Sequence, residues 1–228
     1  MLHIGSADVT VAVPDAKRFY IGSNFIGLAK PDKKEEPTLQ LYDRVDNKAT
    51  VAGFFTDGNG QKYAVCVVDA QYRSDNAMQW SSEEIDTPLT NYTTSEEVIN
   101  ATESATWNME QIMNNYTLSN YPAFNFCHNL NLTYNGTTYY GVLPNAPELL
   151  MIYNDRVNLD TYDPTLTTYS DKSLSNWNFG NNASSRCFTS NECDSSKIWY
   201  LNSSARWFDR GRTLRWGVCP IFEIPVND

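Results

Sequence analysis

The chain has 228 residues, 41% hydrophobic and 13% aromatic, with 17 Lys+Arg against 27 Asp+Glu for a net charge of −10. That length can bury a sizeable core, and that composition is globular rather than disordered. The acidic balance disfavours non-specific nucleic-acid binding, and no run approaches the roughly eighteen apolar residues that a membrane span requires.

The opening MLHIGSADVTVAVPDAKR has no basic segment followed by a long apolar run, so a secretory signal peptide is not expected there. Alternation over Asp8 to Val13 predicts a strand ended by Pro14. The charged, Pro-bounded run Lys30 to Pro37 reads as a linker, and it places an N-terminal extension over 1–44 ahead of a domain over 45–228. The next segments, ATVAGFFT from Ala49, the turn DGNG at Asp57 to Gly60 and the run KYAVCVVDA, spell a β-hairpin. Its second strand is apolar on both faces at Cys66 to Val68, which argues for a mid-sheet position.

Gln71 to Glu103 is polar with weak periodicity and reads as a long surface excursion. A helix is expected from Trp107, where Met109, Ile112, Met113 and Tyr116 follow i, i+3, i+4, i+7 spacing. A second short helix is expected over Ala123 to Leu130, then a turn at Asn135-Gly136 leading into a strand. Asn145 and Glu148 have capping-box spacing, and Pro147 suits a first turn, so another helix should place Leu149, Ile152 and Tyr153 on the core. From Asn158 to Asn182 the chain reads as loop, and short strands are expected at Lys197 to Leu201, near Arg212 to Val218 and at Pro220 to Ile224. Few helices, short strands and long polar loops make an α+β protein with a mostly antiparallel sheet.

Catalytic and metal motifs are scarce. Five cysteines without a C-x-x-C pair fit neither a full disulfide framework nor a zinc site and are expected as buried thiols. Only two histidines occur. His128 adjoins Cys127 on a predicted helix, where neighbours in sequence do not face each other, so a nucleophile–base pair is not expected. The acid pairs Glu83-Glu84 and Glu96-Glu97 read as solvated, Asp57 as turn chemistry, and Asp160 with Asp163 as a weak calcium motif at best. No cofactor and no metal ligands are assigned. Seven Asn-x-Ser/Thr sequons follow from a surface rich in Asn, Ser and Thr.

The C-terminal stretch differs from the rest. Arg186 to Trp216 holds six of the Lys+Arg residues against three acids, and four of the six tryptophans fall between Trp177 and Trp216. Arg, Trp and Tyr dominate binding hot spots because they bury large area at small entropic loss and still hydrogen-bond.

Three stretches carry a family resemblance. Tyr139 to Pro144 followed by Glu148-Leu149 resembles a W-x-L-P-S-x-x-E-L step. Cys187 to Glu192 followed by Ile198 to Leu201 resembles W-S-S-T-E … A-W-Y-L, and Gly217 to Phe222 resembles a closing V-R-P-V strand. Their order over about residues 45 to 225 is similar to the C-type-lectin-like fold, in the branch of formylglycine-generating-enzyme-like domains and diversity-generating-retroelement variable proteins of Bacteroidales and their phages. The resemblance implies two helices packed on a small, mostly antiparallel sheet with long loops, displaying a variable surface near the C-terminus.

Carried onto this chain, that surface is Arg186, Asp194, Ser196, Trp207, Asp209, Arg210, Arg212, Arg215 and Trp216, with Trp199 and Leu201 in the core. The E-P-N or Q-P-D loop and W-N-D strand of calcium-dependent lectins are missing, Cys187 and Cys193 do not form the oxidase cysteine pair, and Cys219 replaces an Arg. The implied function is therefore non-enzymatic: a phage tail- or head-fibre receptor-binding component, exposed on the virion, with an N-terminal segment that docks to other virion proteins. Its partner would be a host-surface polysaccharide or protein, and such fibres are often homotrimers. The alternatives are a bacterial cell-surface adhesin, which would need a leader, and a structural virion decoration protein.

Overall fold

The hairpin at residues 49–68 forms the centre of one sheet because its strands alternate with a period of two between two apolar layers. The computed structural model describes residues 38–74, 78–176, 186–202 and 207–226, with the backbone of three strands before them; for 202, 207 and 208 it describes the backbone alone. Contacts divide the chain into two units, Met1–Thr38 and Leu39–Asp228. The first holds an antiparallel meander of β1 (Val11–Ala12), β2 (Arg18–Gly22) and β3 (Phe25–Leu28). Most of the expected Asp8 to Val13 strand, and the Lys30 to Pro37 linker, lie outside the described residues. Leu39 is buried in the second unit's core, so residues 39–44 belong with that unit.

In the second unit β4 (Arg44–Val45), β5 (Ala49–Thr56), β6 (Lys62–Val68) and the C-terminal Ile221–Pro225 strand make an antiparallel sheet, with β6 inside it as its apolar faces require. Val65 and Val67 face one apolar cluster; Ala64, Cys66 and Val68 face another. A bulge between Val51 and Gly53 reverses the alternation of β5, so that Val51 and Phe54 share a layer although three residues apart. Asp57 closes the turn by accepting from the N–H groups of Asn59 (2.9 Å) and Gln61 (2.8 Å), a structural use of that carboxylate.

The polar stretch after β6 departs from its expected surface course. It contains β7 (Met78–Gln79) and α1 (Ser95–Ile99), and it buries Trp80, Leu89 and Val98. Trp80 sits edge-on to Tyr121 and Phe124 and donates its indole N–H to the Thr189 carbonyl at 2.9 Å. A few isolated anchors, rather than a periodic stripe, hold this segment.

Helix α2 (Ala105–Asn115) buries Met109 and Ile112 but leaves Met113 exposed, so the apolar stripe is narrower than expected. Helix α3 (Pro122–His128) buries Cys127, while His128 stacks on Tyr140. The hairpin of β8 (Asn131–Tyr134) and β9 (Thr137–Tyr140) turns through Asn135 and Gly136, both at positive φ. Helix α4 (Ala146–Asn154) begins at the capping box: Asn145 accepts from the Glu148 N–H, and the Glu148 carboxyl accepts from the Asn145 N–H, each at 2.9 Å. Leu149, Ile152 and Tyr153 are buried, and α4 packs on β5.

The stretch from Asn158, expected as loop, instead continues α5 (Arg156–Thr161) and then holds two 3-10 turns. Asp163 accepts from the Ala70 N–H (2.7 Å) and the Arg73 guanidinium (3.0 Å), and Asp160 accepts from the N–H groups of Leu174 and Ser175. Both carboxylates thus serve the fold, and among the described residues no group of three or more His, Cys, Asp or Glu is placed to hold a metal ion.

The remaining strands are β10 (Arg186–Asp194), β11 (Lys197–Asn202), β12 (Trp207–Gly211), β13 (Arg215–Trp216) and β14 (Ile221–Pro225), the last already placed beside β6. β10, β11 and β12 form an antiparallel sheet, and β13 pairs with β7. A parallel bridge from Cys187 to Gly217 joins β10 to the end of β13. The molecule is α+β, with largely antiparallel sheets and five α-helices among the described residues. No described helix is long and apolar enough to cross a membrane.

Gly141 marks a close backbone-to-backbone approach. A Cβ built there would lie 2.5 Å from the Cys127 carbonyl oxygen. Gly141→Ala should cost about 1–3 kcal/mol through displaced backbone, read as a lower midpoint in urea unfolding; an unchanged midpoint would show that α3 yields freely.

Candidate functional site

β10 and β11 carry the site, and their register explains which side chains meet. Arg186 pairs with Asn202, Phe188 with Tyr200, and Ile198 with Arg210 of β12. The period of two therefore puts Arg186, Phe188, Tyr200 and Arg210 on one face. At the β13 end, Gly217 donates to the Arg186 carbonyl (3.2 Å) and Phe188 donates to the Gly217 carbonyl (3.3 Å), which brings Trp216 beside Arg186.

There the aromatic rings pack closely. Trp216 lies 4.3 Å from Tyr200 and 5.1 Å from Phe188 between centroids. The Arg186 guanidinium sits over both Tyr200 (5.4 Å) and Trp216 (5.3 Å). Such contact restrains the guanidinium, and the ring faces do not use up its N–H groups as hydrogen-bond donors. Arg186 and Trp216 are half-buried, and Arg210 and Arg215 are exposed. None of these three arginines has an ion-pair partner among the described residues, whereas Lys197 is paired with Asp209 at 3.0 Å.

Other expected contact residues lie elsewhere. Asp194 and Ser196 close the β10–β11 turn: the Ser196 N–H and hydroxyl each donate to one Asp194 carboxylate oxygen at 2.8 Å. Partial burial works against the Asp194 charge, but these donors hold its carboxyl below the usual range. Asp209 pairs with Trp199 in register, on the face opposite Arg186. Trp207 pairs with Leu201 through its backbone, and its side chain, like the whole of Ser203 to Arg206, lies outside the described residues.

Arg212 departs from the expected surface position. It is fully buried, its guanidinium bonded to the Glu192 carboxylate and to the carbonyls of Ile85 and Asp194, and stacked over Trp80 at 5.0 Å. The Thr87 hydroxyl donates to the other Glu192 oxygen. Burial pushes the Glu192 carboxyl up, while Thr87 and Arg212 pull it down without cancelling the effect. Arg212 is a core residue because only a buried carboxylate and backbone carbonyls surround it.

Phe188 and Tyr200 form the floor of the site and were not anticipated as part of it. The available signal was their shared parity with Arg186 across two strands, which can be used only once the register is known.

All five cysteines are free and buried. Burial raises the thiols of Cys127 and Cys187 well above their ordinary range and pushes Cys219 up to about 11. No family model, curated protein or solved structure matches the chain.

Proposed function

We propose that the chain is a non-enzymatic binding protein with a C-type-lectin-like domain, serving as a receptor-binding component of a phage tail or head fibre. The observation that carries the reading is the Arg186–Tyr200–Trp216 cluster. A guanidinium restrained over two aromatic rings, with Arg210 on the same face and without an ion-pair partner among the described residues, is suited to meet a partner rather than to hold the core. Thiols held protonated by burial are poor nucleophiles, which favours binding over cysteine-dependent oxidation.

The labelled chain should adhere to particular strains in a panel of Bacteroidales cells, and Arg186→Gln combined with Arg210→Gln should reduce that binding about tenfold or more while the melting temperature holds. Undiminished binding by the double variant would remove this surface from consideration. Immunogold labelling of virions with antibody to the chain tests the virion assignment separately.

A further inference from the structure

We infer that this surface takes an acidic polysaccharide, with the carboxylates of the polymer seated on Arg186 and Arg210; the inference rests on the binding role proposed above. It starts from charge. The chain is net −10, so a cluster of unpaired cations is not its background. Among the arginines whose side chains are described, Arg44, Arg73 and Arg212 are paired with carboxylates. Arg156, Arg186, Arg210 and Arg215 have no ion pair with another described residue, and three of these four lie on β10, β12 and β13.

Chemistry narrows the ligand further. A guanidinium stacked on aromatic rings cannot turn freely, so its paired N–H groups present a fixed fork, which matches the two oxygens of a carboxylate better than a neutral hydroxyl. Half-buried Trp216 adds apolar aromatic surface beside that guanidinium, against which the C–H groups of a sugar can pack.

A polymer that repeats its carboxylate can engage Arg186 and Arg210 at once, and multivalency then converts weak single contacts into firm attachment.

The test uses the intact chain and immobilised polygalacturonate, with its carboxyl-reduced form as the neutral control and alginate, hyaluronan and polysialate as further acidic polymers. At least one acidic polymer should be bound and the reduced polymer should not. Binding should weaken about tenfold or more between about 50 mM and about 300 mM NaCl. Arg186→Gln should lose most of it, and Arg186→Lys should not restore it, because a point charge lacks the fork. Equal binding to the reduced polymer, or binding to none of the acidic ones, overturns the inference. Running the same variants on the cell panel separates the two levels. If they lose the cells although no acidic polymer binds, the surface stands and the ligand class falls; if they keep the cells, the surface itself falls.

Discussion

Arg212→Ala should destabilise the domain by about 3–5 kcal/mol, because it removes one partner of a buried ion pair and leaves the other uncompensated. Arg212 and Glu192 are both fully buried. The arginine side chain ties β10 to the segment after β7 through Ile85, while its main-chain carbonyl accepts from the N–H groups of Trp80 (3.1 Å) and Ser81 (3.2 Å). Removing the guanidinium strands the Glu192 carboxylate and the carbonyls of Ile85 and Asp194, and it uncovers one face of Trp80. The paired change Arg212→Met with Glu192→Gln should cost less than Arg212→Ala, since it leaves no buried charge behind. Urea unfolding followed by tryptophan fluorescence measures both. A loss under about 1 kcal/mol for Arg212→Ala would mean that the pair is solvated and the segment after β7 is held by other contacts. Loss of ligand binding in an Arg212 variant should accordingly be read as damage to the scaffold.

The second large effect is a pH dependence set by two buried glutamates. Glu148 and Glu223 lie side by side in the core. Glu223 is the anion of the two: its oxygens accept from the N–H groups of Ala105 (3.0 Å) and Thr106 (2.6 Å), at the positive end of α2. Glu148 accepts the Asn145 N–H with one oxygen, and its other oxygen has no donor. A proton on that oxygen, donated toward Glu223, satisfies it. Burial, followed by the charge of Glu223, raises the Glu148 carboxyl well above the ordinary range.

The sign follows. Above the ordinary glutamate pKa of about 4.3 the unfolded chain has released this proton while the folded chain retains it. Its contribution to stability is therefore complete at acid pH and is lost as pH rises toward the raised folded value, with a slope of at most about 1.4 kcal/mol per pH unit. Glu148→Gln mimics the protonated form: its carbonyl can take the Asn145 N–H and its amide can donate to Glu223. The variant should flatten that slope and exceed the parent in stability at pH 8. Glu223→Gln should destabilise at every pH, because an amide offers one acceptor where the α2 N-terminus needs two. Denaturation midpoints from pH 5 to pH 8 decide the matter. Parallel profiles for the parent and Glu148→Gln would mean that Glu148 is ionised in the fold. Glu192, also raised, contributes with the same sign, so the difference between the two profiles is the informative quantity.

Local chemistry made part of this architecture legible. The hairpin at residues 49–68, the capping box at Asn145 and Glu148, and the Asn135-Gly136 turn depend on residues within a few positions of each other, so spacing alone reveals them. β10 is the contrary case. Thr189, Ser190, Asn191 and Glu192 are polar and buried, with no apolar alternation to betray a strand. Each is satisfied from a distant segment: Thr189 donates to the Trp199 carbonyl, Ser190 bonds Asn108, Asn191 accepts from the Ala146 N–H, and Glu192 holds Arg212. A pattern rule that equates buried with apolar cannot find such a strand.

The candidate surface divides in the same way. The excess of Arg and Trp between Arg186 and Trp216 is a property of composition, present before any folding. Which of those residues face a partner is decided by pairing register and by buried charge. Register sets Arg186 and Arg210 on one face and Asp209 on the other. Glu192 draws Arg212 into the core, since a buried carboxylate requires a cation more strongly than the surface does. The sequence by itself determined the local turns, the caps and the supply of cationic and aromatic side chains. Only the tertiary structure decided which arginines were left unpaired, because an ion pair forms between residues that the fold, and not the chain order, brings together.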